Sequence, residues 1–558
     1  MSSIKSLLAT ASSLFPSNNK NQPSQLRGMI SILIGIILLS LGIALLTSIF
    51  SFRSLQTLDI AKADRQAGFA RFVSRQLSNI SGGHIASVES WKTSLELIHS
   101  VNLFSSEFST RLSQLNAGES PSFVELAEIA LTISEKINYL SMEIQRSAIL
   151  RRLVNPDLRE RISEVSKIAS ESVPIISSLA QEKHNTLILF QNSDELRATG
   201  GFIGSYALLH LQNGSLDEIV VEDIYDADGQ FTGYIEPPAG VNEYLSANNG
   251  LRLPNANWQA DFADSAQQIL RFFALSDRGE IDTVISVNLN LAKTLLEITG
   301  PIHLPDNESD LSSENVSSLL RTERGDFFAG SRAKTQLLSQ AVTGLKLALS
   351  NLSKEKQLLA MKEIANHIKD RDILLFFVKP ELQEHATSLG ITGELPVIEN
   401  EDTLFVYPVE SNVGINKVNP YISRKVVVAQ AEKLTEVGIT FSHLATDQPG
   451  YINYQRLIVS PDAEIVSINV DEDELQSWDE EVIKTHSGNK FKQIGFLVPV
   501  PPGTEVRIRV AIRGTNPPEN LLIRKQPGVT PIPLTVISDD QTKQILLIND
   551  HLISLSPG

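Results

Sequence analysis

The chain has 558 residues, 42% hydrophobic and 20% charged, which is the balance of globular rather than disordered sequence and too long for one core. A net charge of −17 argues against a nucleic-acid binder that relies on overall attraction to phosphate. The absence of cysteine excludes disulfides, iron–sulfur clusters, thiolate zinc sites and cysteine nucleophiles.

Residues 1–28, rich in Ser, Asn and Gln, read as a disordered tail. Residues 29–50, MISILIGIILLSLGIALLTSIF, lie in a stretch without charge between Arg27 and Arg53, and roughly 20 apolar residues cross a bilayer as a helix. A signal peptide would have an apolar region of about 7–15 residues and a cleavage site directly behind it. The small-x-small triplet Ala61-Lys62-Ala63 stands too far downstream, so the segment is predicted to stay as a signal anchor. Lys5, Lys20 and Arg27 favour a cytoplasmic N-terminus against Arg53, Lys62 and Arg65 on the other flank, and long domains translocate largely regardless of charge. The expectation is a single-pass cell-membrane protein with its bulk extracytoplasmic.

Residues 51–183 are predicted to form a helical bundle or stalk. Leu126, Ile129, Ile133, Ile137, Leu140 and Ile144 recur at spacings of three and four, too irregular for strict heptads. Gly82-Gly83, Gly118 with Pro121, and Asn155-Pro156 divide the region into about four helices. Residues 184–392 alternate strands and helices, as expected of a mixed α/β domain. Strands are predicted at 186–190, 202–211, 216–224 and 281–287, with Asn213-Gly214 as a hairpin turn. Helices are predicted from a capping box at Asp264 to Gln267, over 289–298, and near 331–350 and 354–368. Residues 393–558 carry seven strand patterns, from TLFVYPV to EVRIRVAI, in the cadence of an antiparallel β-sandwich. The acidic run from Asp471 to Glu474, continued by Asp479, Glu480 and Glu481, lacks the glycine and spacing of a calcium loop and reads as a solvated loop.

The block QNSDELRATGGFIGSYALLHLQNG concentrates the chemistry. Arg197 can grip a phosphate or carboxylate bidentately and Gly200-Gly201 can bring backbone N–H groups to the same anion, while an ion pair with Glu195 and a plain turn is the competing reading. Asp223, Asp226 and Asp228 follow the hairpin strand; Asp223 and Asp226 are candidate Mg²⁺ ligands, although surface loops carry acids routinely. In NANWQADF, Asn257 and Trp258 are candidates for binding a polymer, with Asp261 as a polar partner, against a packing anchor and a helix cap at Asp261 or Asp264. Asn412, Asn416, Lys417 and Arg424 offer a second polymer-binding set, in a loop whose Asn and Gly content also suits a turn into a sandwich. Arg197, Asp223 and Asp261 are the candidate catalytic residues. No H-E-x-x-H, G-x-S-x-G, Walker A or dinucleotide motif occurs.

These segments together, with IDTVISV, LEITGPIHLP, LSSENVSSLL and the run from RDILLFFVKPEL through SNVGINKVNPYISR, resemble the bacterial membrane-anchored family catalogued as domain of unknown function 4012. The resemblance covers most of residues 60 to 512, and Asn255 stands where an aspartate is expected. The order of tail, span, strand, Arg-bearing loop and strand is also similar to the LytR-CpsA-Psr enzymes, though their Pro-Arg-Asp signature is absent. That similarity implies glycopolymer transfer from a polyprenyl pyrophosphate carrier, with arginines on the pyrophosphate and acids holding magnesium. The expected function is therefore an envelope protein handling a lipid-linked or wall glycopolymer through an Arg197-centred anion site. The alternative is a non-enzymatic envelope scaffold or protein-interaction module. Whether it is an enzyme, and its oligomeric state, stay open at this point.

Overall fold

The computed structural model describes residues 59–555, apart from 118, 182, 247–248, 276–278, 306–308, 320–326, 399–401, 515 and 539–540. The expected tail and membrane span, residues 1–28 and 29–50, lie outside the described residues. Among the described residues no helix is long and apolar enough to cross a membrane. The chain is multidomain and mixes helices with several sheets. Its described residues divide into two compact units, 59–103 with 135–163, and 104–134 with 164–555.

Helices occupy the described residues between 60 and 181: α1 (Ile60–Ser81), α2 (Ala86–Asn116), α3 (Val124–Arg146), α4 (Ala148–Leu153) and α5 (Pro156–Gln181). Their ends follow local chemistry. Asp59 accepts a hydrogen bond from the Lys62 N–H at 2.9 Å, Gly82 ends α1 in the left-handed region at φ +59°, and Asn155 accepts from the Leu158 N–H at 2.7 Å just ahead of Pro156. In the first unit Ala63, Ala67 and Ala70 form a stripe of small residues on α1 that packs with Leu95 and Ile98 of α2.

The second unit contains a five-stranded sheet ordered β3-β2-β1-β4-β5. Its strands are β1 (His184–Asn192), β2 (Phe202–Gln212), β3 (Ser215–Asp223), β4 (Thr283–Asn288) and β5 (Ile373–Phe377). The hairpin between β2 and β3 turns on Asn213 and Gly214, both at positive φ (+51° and +70°), the conformation that a two-residue loop needs to match strand twist. β1 and β4 pair in parallel, and the other neighbours are antiparallel. The intervening helices are α6 (Ile224–Asp228), α7 (Val241–Tyr244), α8 (Phe262–Leu275), α9 (Leu289–Thr299), α10 (Val316–Leu319), α11 (Phe327–Ser350) and α12 (Lys354–Lys369), with α13 (Pro380–Ser388) after β5. α8 starts before the predicted capping box, because the Asp261 carboxylate accepts the Ala263 and Asp264 N–H groups at 2.9 and 3.3 Å.

Two further sheets follow. One is ordered β11-β10-β14-β8-β7-β16-β17, the other β12-β13-β9-β6-β15-β18. The strands are β6 (Thr403–Asn412), β7 (Ile422–Ala431), β8 (Leu434–His443), β9 (Tyr451–Val459), β10 (Glu464–Val470), β11 (Asp473–Glu474), β12 (Asp479–Lys484), β13 (Lys490–Val500) and β14 (Glu505–Arg513). They are completed by β15 (Asn520–Ile523), β16 (Ile532–Ser538), β17 (Gln541–Leu547) and β18 (His551–Ser554). Apolar residues of both sheets, among them Val428, Ile439 and Val510 of one and Val406, Leu457 and Ile494 of the other, form one core. The expectation of purely antiparallel pairing is corrected: β15 pairs with β6, and β16 with β7, in parallel. The acidic run is corrected too, since Asp479, Glu480 and Glu481 open the edge strand β12, where charge discourages pairing with another chain.

The expected boundary at residues 392/393 is crossed by buried hydrogen bonds. Arg456 Nη1 donates to the Trp258 carbonyl at 2.8 Å, and the Leu395 N–H donates to Asp261 Oδ2 at 2.8 Å.

Candidate functional site

A cavity of about 710 Å³ opens beside the parallel β1/β4 pair. Its two walls differ in chemistry. On α9, Leu291, Ala292, Leu295 and Leu296 face it, and on α11 Leu338, Ala341, Val342 and Leu345 do, at the i, i+3, i+4, i+7 spacing of one helix face. Leu311 and Val316 extend this apolar lining. The other wall is polar, built by Asn192, Glu195, Arg197, Asp223, Asp228 and Arg252 from the sheet and its loops, with Asn288 and Lys417 beside them. Three acids thus face three cations. Ile415, 66% exposed, and Arg252, whose side chain is 33% exposed, mark the open side.

Arg197 lines this cavity but is only 1% exposed, and its guanidinium is heavily engaged. Nε donates to Asn255 Oδ1 at 3.1 Å, and Nη2 donates to Glu195 Oε1 at 3.0 Å. Nη1 donates to the carbonyls of Leu196 at 3.0 Å and Asn412 at 2.7 Å. Four of its five N–H groups are therefore used inside the protein. Asn255, at the position where the family resemblance leads one to expect an aspartate, serves as an acceptor for this arginine.

The glycine pair serves close packing. A Cβ on Gly201 would stand 2.3 Å from the Asn192 carbonyl oxygen, and its φ of +151° is one that side chains rarely adopt. A Cβ on Gly528 would meet the Gly200 carbonyl oxygen at 2.2 Å. The Gly200 N–H donates to the Arg197 carbonyl at 3.1 Å, so it is turned into its own loop, and neither glycine lines the cavity.

The remaining sequence candidates separate. Asp223 lines the cavity while its Oδ1 accepts the Tyr225 N–H at 3.0 Å and caps α6. Asp226 is exposed and outside the cavity lining. Asp228 holds Arg252 through contacts of 2.9–3.1 Å and accepts the Leu253 N–H at 2.8 Å. Asp261 lies away from this cavity, with one oxygen capping α8 and the other accepting the Leu395 N–H at 2.8 Å. Asn257 is buried and donates to Thr199 Oγ1 and the Gly201 carbonyl, which fixes the loop. Trp258 is 2% exposed, with the Arg456 guanidinium 4.6 Å above its ring and Tyr454 at 5.7 Å, so it packs as an anchor with no open face for a sugar.

Asn412 is buried, donating to Asn416 and Asn419 and accepting the Gly414 N–H. Asn416 donates to the Gly450 carbonyl, and Arg424 is buried in a bidentate pair with Glu410. Lys417, half-buried, lines the cavity. The structure therefore gathers Arg197, Asp223 and Lys417, and leaves out Gly200, Gly201, Asp226, Asn257, Trp258, Asp261 and Asn412. Arg252, Asn288 and the apolar walls on α9 and α11 were not singled out in the sequence. The only advance signal for the walls was the apolar stripe of each helix, which reads equally well as ordinary core.

For magnesium, the donor set was the test. Asp223 and Asp228 face the cavity with oxygens already accepting N–H groups, and among the described residues no group of three or more acids or histidines stands close enough to hold a metal.

Asp264, in the first turn of α8, has its carboxyl pushed up to about 6 by burial, with the His486 backbone N–H opposing the shift and Glu394 adding to it. Between the usual aspartate value and about 6 the folded chain keeps a proton that the unfolded chain releases. Stability is thus fully present below that window and falls as pH rises through it. Asp264→Asn is expected to flatten the decline between pH 4 and 7 in urea midpoints. An unchanged pH slope would show that Asp264 is ionised throughout.

The described residues thus define a mixed α/β protein with a large cavity, apolar along its helices and polar along its sheet. Residues 181–324, which run from the end of α5 past α10 and supply most of the polar wall, match the family described as Protein of unknown function (DUF4012). No curated protein matches by sequence. Among solved structures, the Legionella pneumophila protein lpg2210 aligns at 8% identity and a TM-score of 0.18, covering 24% of this chain and 54% of its own. The chain thus spans about half the length of that protein. The Lin1025 protein of Listeria innocua aligns at 11% identity and a TM-score of 0.21, covering 38% of this chain and 80% of its own. Bacillus subtilis TagV aligns at 16% identity and a TM-score of 0.19, covering 38% and 82%. No function follows from scores of this size.

Proposed function

We propose that the chain is a cell-envelope protein, anchored through residues 29–50 with its bulk outside the cytoplasm, that holds a lipid-linked glycopolymer or its carrier by the apolar chain. The observation that carries this reading is the 710 Å³ cavity, whose size suits a ligand and whose helical walls are apolar along α9 and α11. A polyprenyl chain lying against those helices would leave its phosphate near the polar wall. There Arg252, with a side chain 33% exposed, and the half-buried Lys417 can shift toward it, whereas Arg197 is 1% exposed and held by four hydrogen bonds. Arg197 in this reading shapes the wall. Magnesium enters only as a companion of the phosphate, and no catalytic step is assigned.

The test is titration of the full chain, in a sugar-free detergent, with a fluorescent polyprenyl phosphate and with the matching polyprenol, each with and without Mg²⁺. Both are expected to bind, the phosphate severalfold more tightly, since partly exposed charges contribute little each. Lys417→Gln is expected to remove part of that difference. If neither lipid bound, the non-catalytic scaffold would become the better reading.

A further inference from the structure

A second cavity, of about 470 Å³, lies across the segment Leu251–Trp258 from the first. Arg252, Pro254 and Asn255 face the first cavity, while Leu251, Ala256 and Trp258 face the second, so one stretch of chain is a wall of both. The sequence motif that continues into α8 supplies its floor. Asp264, Gln267, Gln268 and Arg271 stand at i, i+3, i+4 and i+7, on one helix face, and all four line this cavity. Each ends in a planar polar group, a carboxylate, two amides and a guanidinium. Glu236 and Lys484 add one acid and one cation, and Pro237 and Pro238 add a rigid apolar surface.

We infer that this second cavity is a binding site for a saccharide. Planar carboxylate, amide and guanidinium groups offer paired donors and acceptors, which is what adjacent hydroxyls require. A simple anion would meet Glu236, Asp261 and Asp264, and a purely apolar ligand would leave the buried Gln268 Nε2 without a partner. That atom is buried with no hydrogen bond, although its side chain belongs to the cavity lining. Arg271 Nη1 reaches Gln268 Oε1 at only 3.4 Å, so both groups can reorient toward a ligand at small cost. Trp258 gives no stacking platform, because Arg456 covers its ring, and selectivity must come from hydrogen bonds alone. The inference does not rest on the lipid reading; should that hold as well, the shared wall sets a glycan beside the lipid that carries it.

The experiment is saturation-transfer NMR on the full chain in a zwitterionic, sugar-free detergent. The probes are a panel of neutral, acetamido and uronic disaccharides at millimolar concentration. At least one class is expected to bind with a dissociation constant on the order of 1 mM or below. Gln268→Ala and Arg271→Ala are each expected to weaken it about tenfold, as loss of a polar partner does, while circular dichroism stays unchanged. Ala341→Trp, which fills the first cavity, is expected to leave sugar binding intact, so failure of the lipid reading and of this one register separately. Absence of binding to every disaccharide class, or binding that survives both α8 substitutions, overturns the proposal.

Discussion

Arg197→Ala is expected to lower the unfolding free energy by about 3–5 kcal/mol, the range for removing one partner of a buried ion pair. The substitution leaves the Glu195 carboxylate buried beside an empty space, and it strips donors from the carbonyls of Leu196 and Asn412 and from Asn255 Oδ1. It also loosens β6, because Asn412 ends that strand and its carbonyl is tied to the loop through this one side chain. Arg197→Lys should recover only part of the loss, since an ammonium keeps the charge without the planar fork that reaches four acceptors. Urea unfolding of the purified variants measures both. A loss below about 1 kcal/mol for Arg197→Ala, together with weakened polyprenyl phosphate binding, would return Arg197 to the role of anion ligand.

The second large effect is expected in the cavity itself. Ala341 and Ala292 project from α11 and α9 into the apolar side of a 710 Å³ space, so a larger side chain enters empty volume instead of displacing packed neighbours. Ala341→Trp should therefore leave the thermal midpoint unchanged or slightly raised, in contrast to the usual penalty of overpacking. If the cavity holds an isoprenoid chain, the same substitution should remove binding of both the polyprenyl phosphate and the polyprenol by roughly a hundredfold. That corresponds to about 3 kcal/mol of lost apolar burial. Ala292→Trp repeats the test from the facing helix. Retained lipid affinity in both variants would mean that lipid, if bound at all, sits elsewhere.

Local signals were enough for much of the five-stranded sheet. Asn213-Gly214 defined the β2/β3 hairpin because only a few residues tolerate two consecutive positive φ values, and the apolar run at 281–287 marked β4. β16 was harder to read, since Pro533 interrupts its alternation and a proline argues against an interior strand. β12 was hidden for another reason, its charge, which resembles a solvated loop until its pairing with β13 is seen.

Within the candidate site, sequence alone established that a polar loop with Arg197 lies between two strands, that Asp223 ends the next strand, and that cysteine chemistry is absent. It could not decide what Arg197 does, because Asn412, which accepts one of its hydrogen bonds, is more than two hundred residues away and reaches it only when β6 packs beside the loop. Nor could it decide whether Trp258 faces a ligand or the core, a choice made by Arg456 on β9. The cavity was equally invisible, since an apolar stripe on α9 or α11 has the same pattern whether it meets another side chain or empty space. Periodicity and turn chemistry act over a few residues and so are written locally. Ion pairing, burial and voids are properties of surfaces that meet only after the chain has folded.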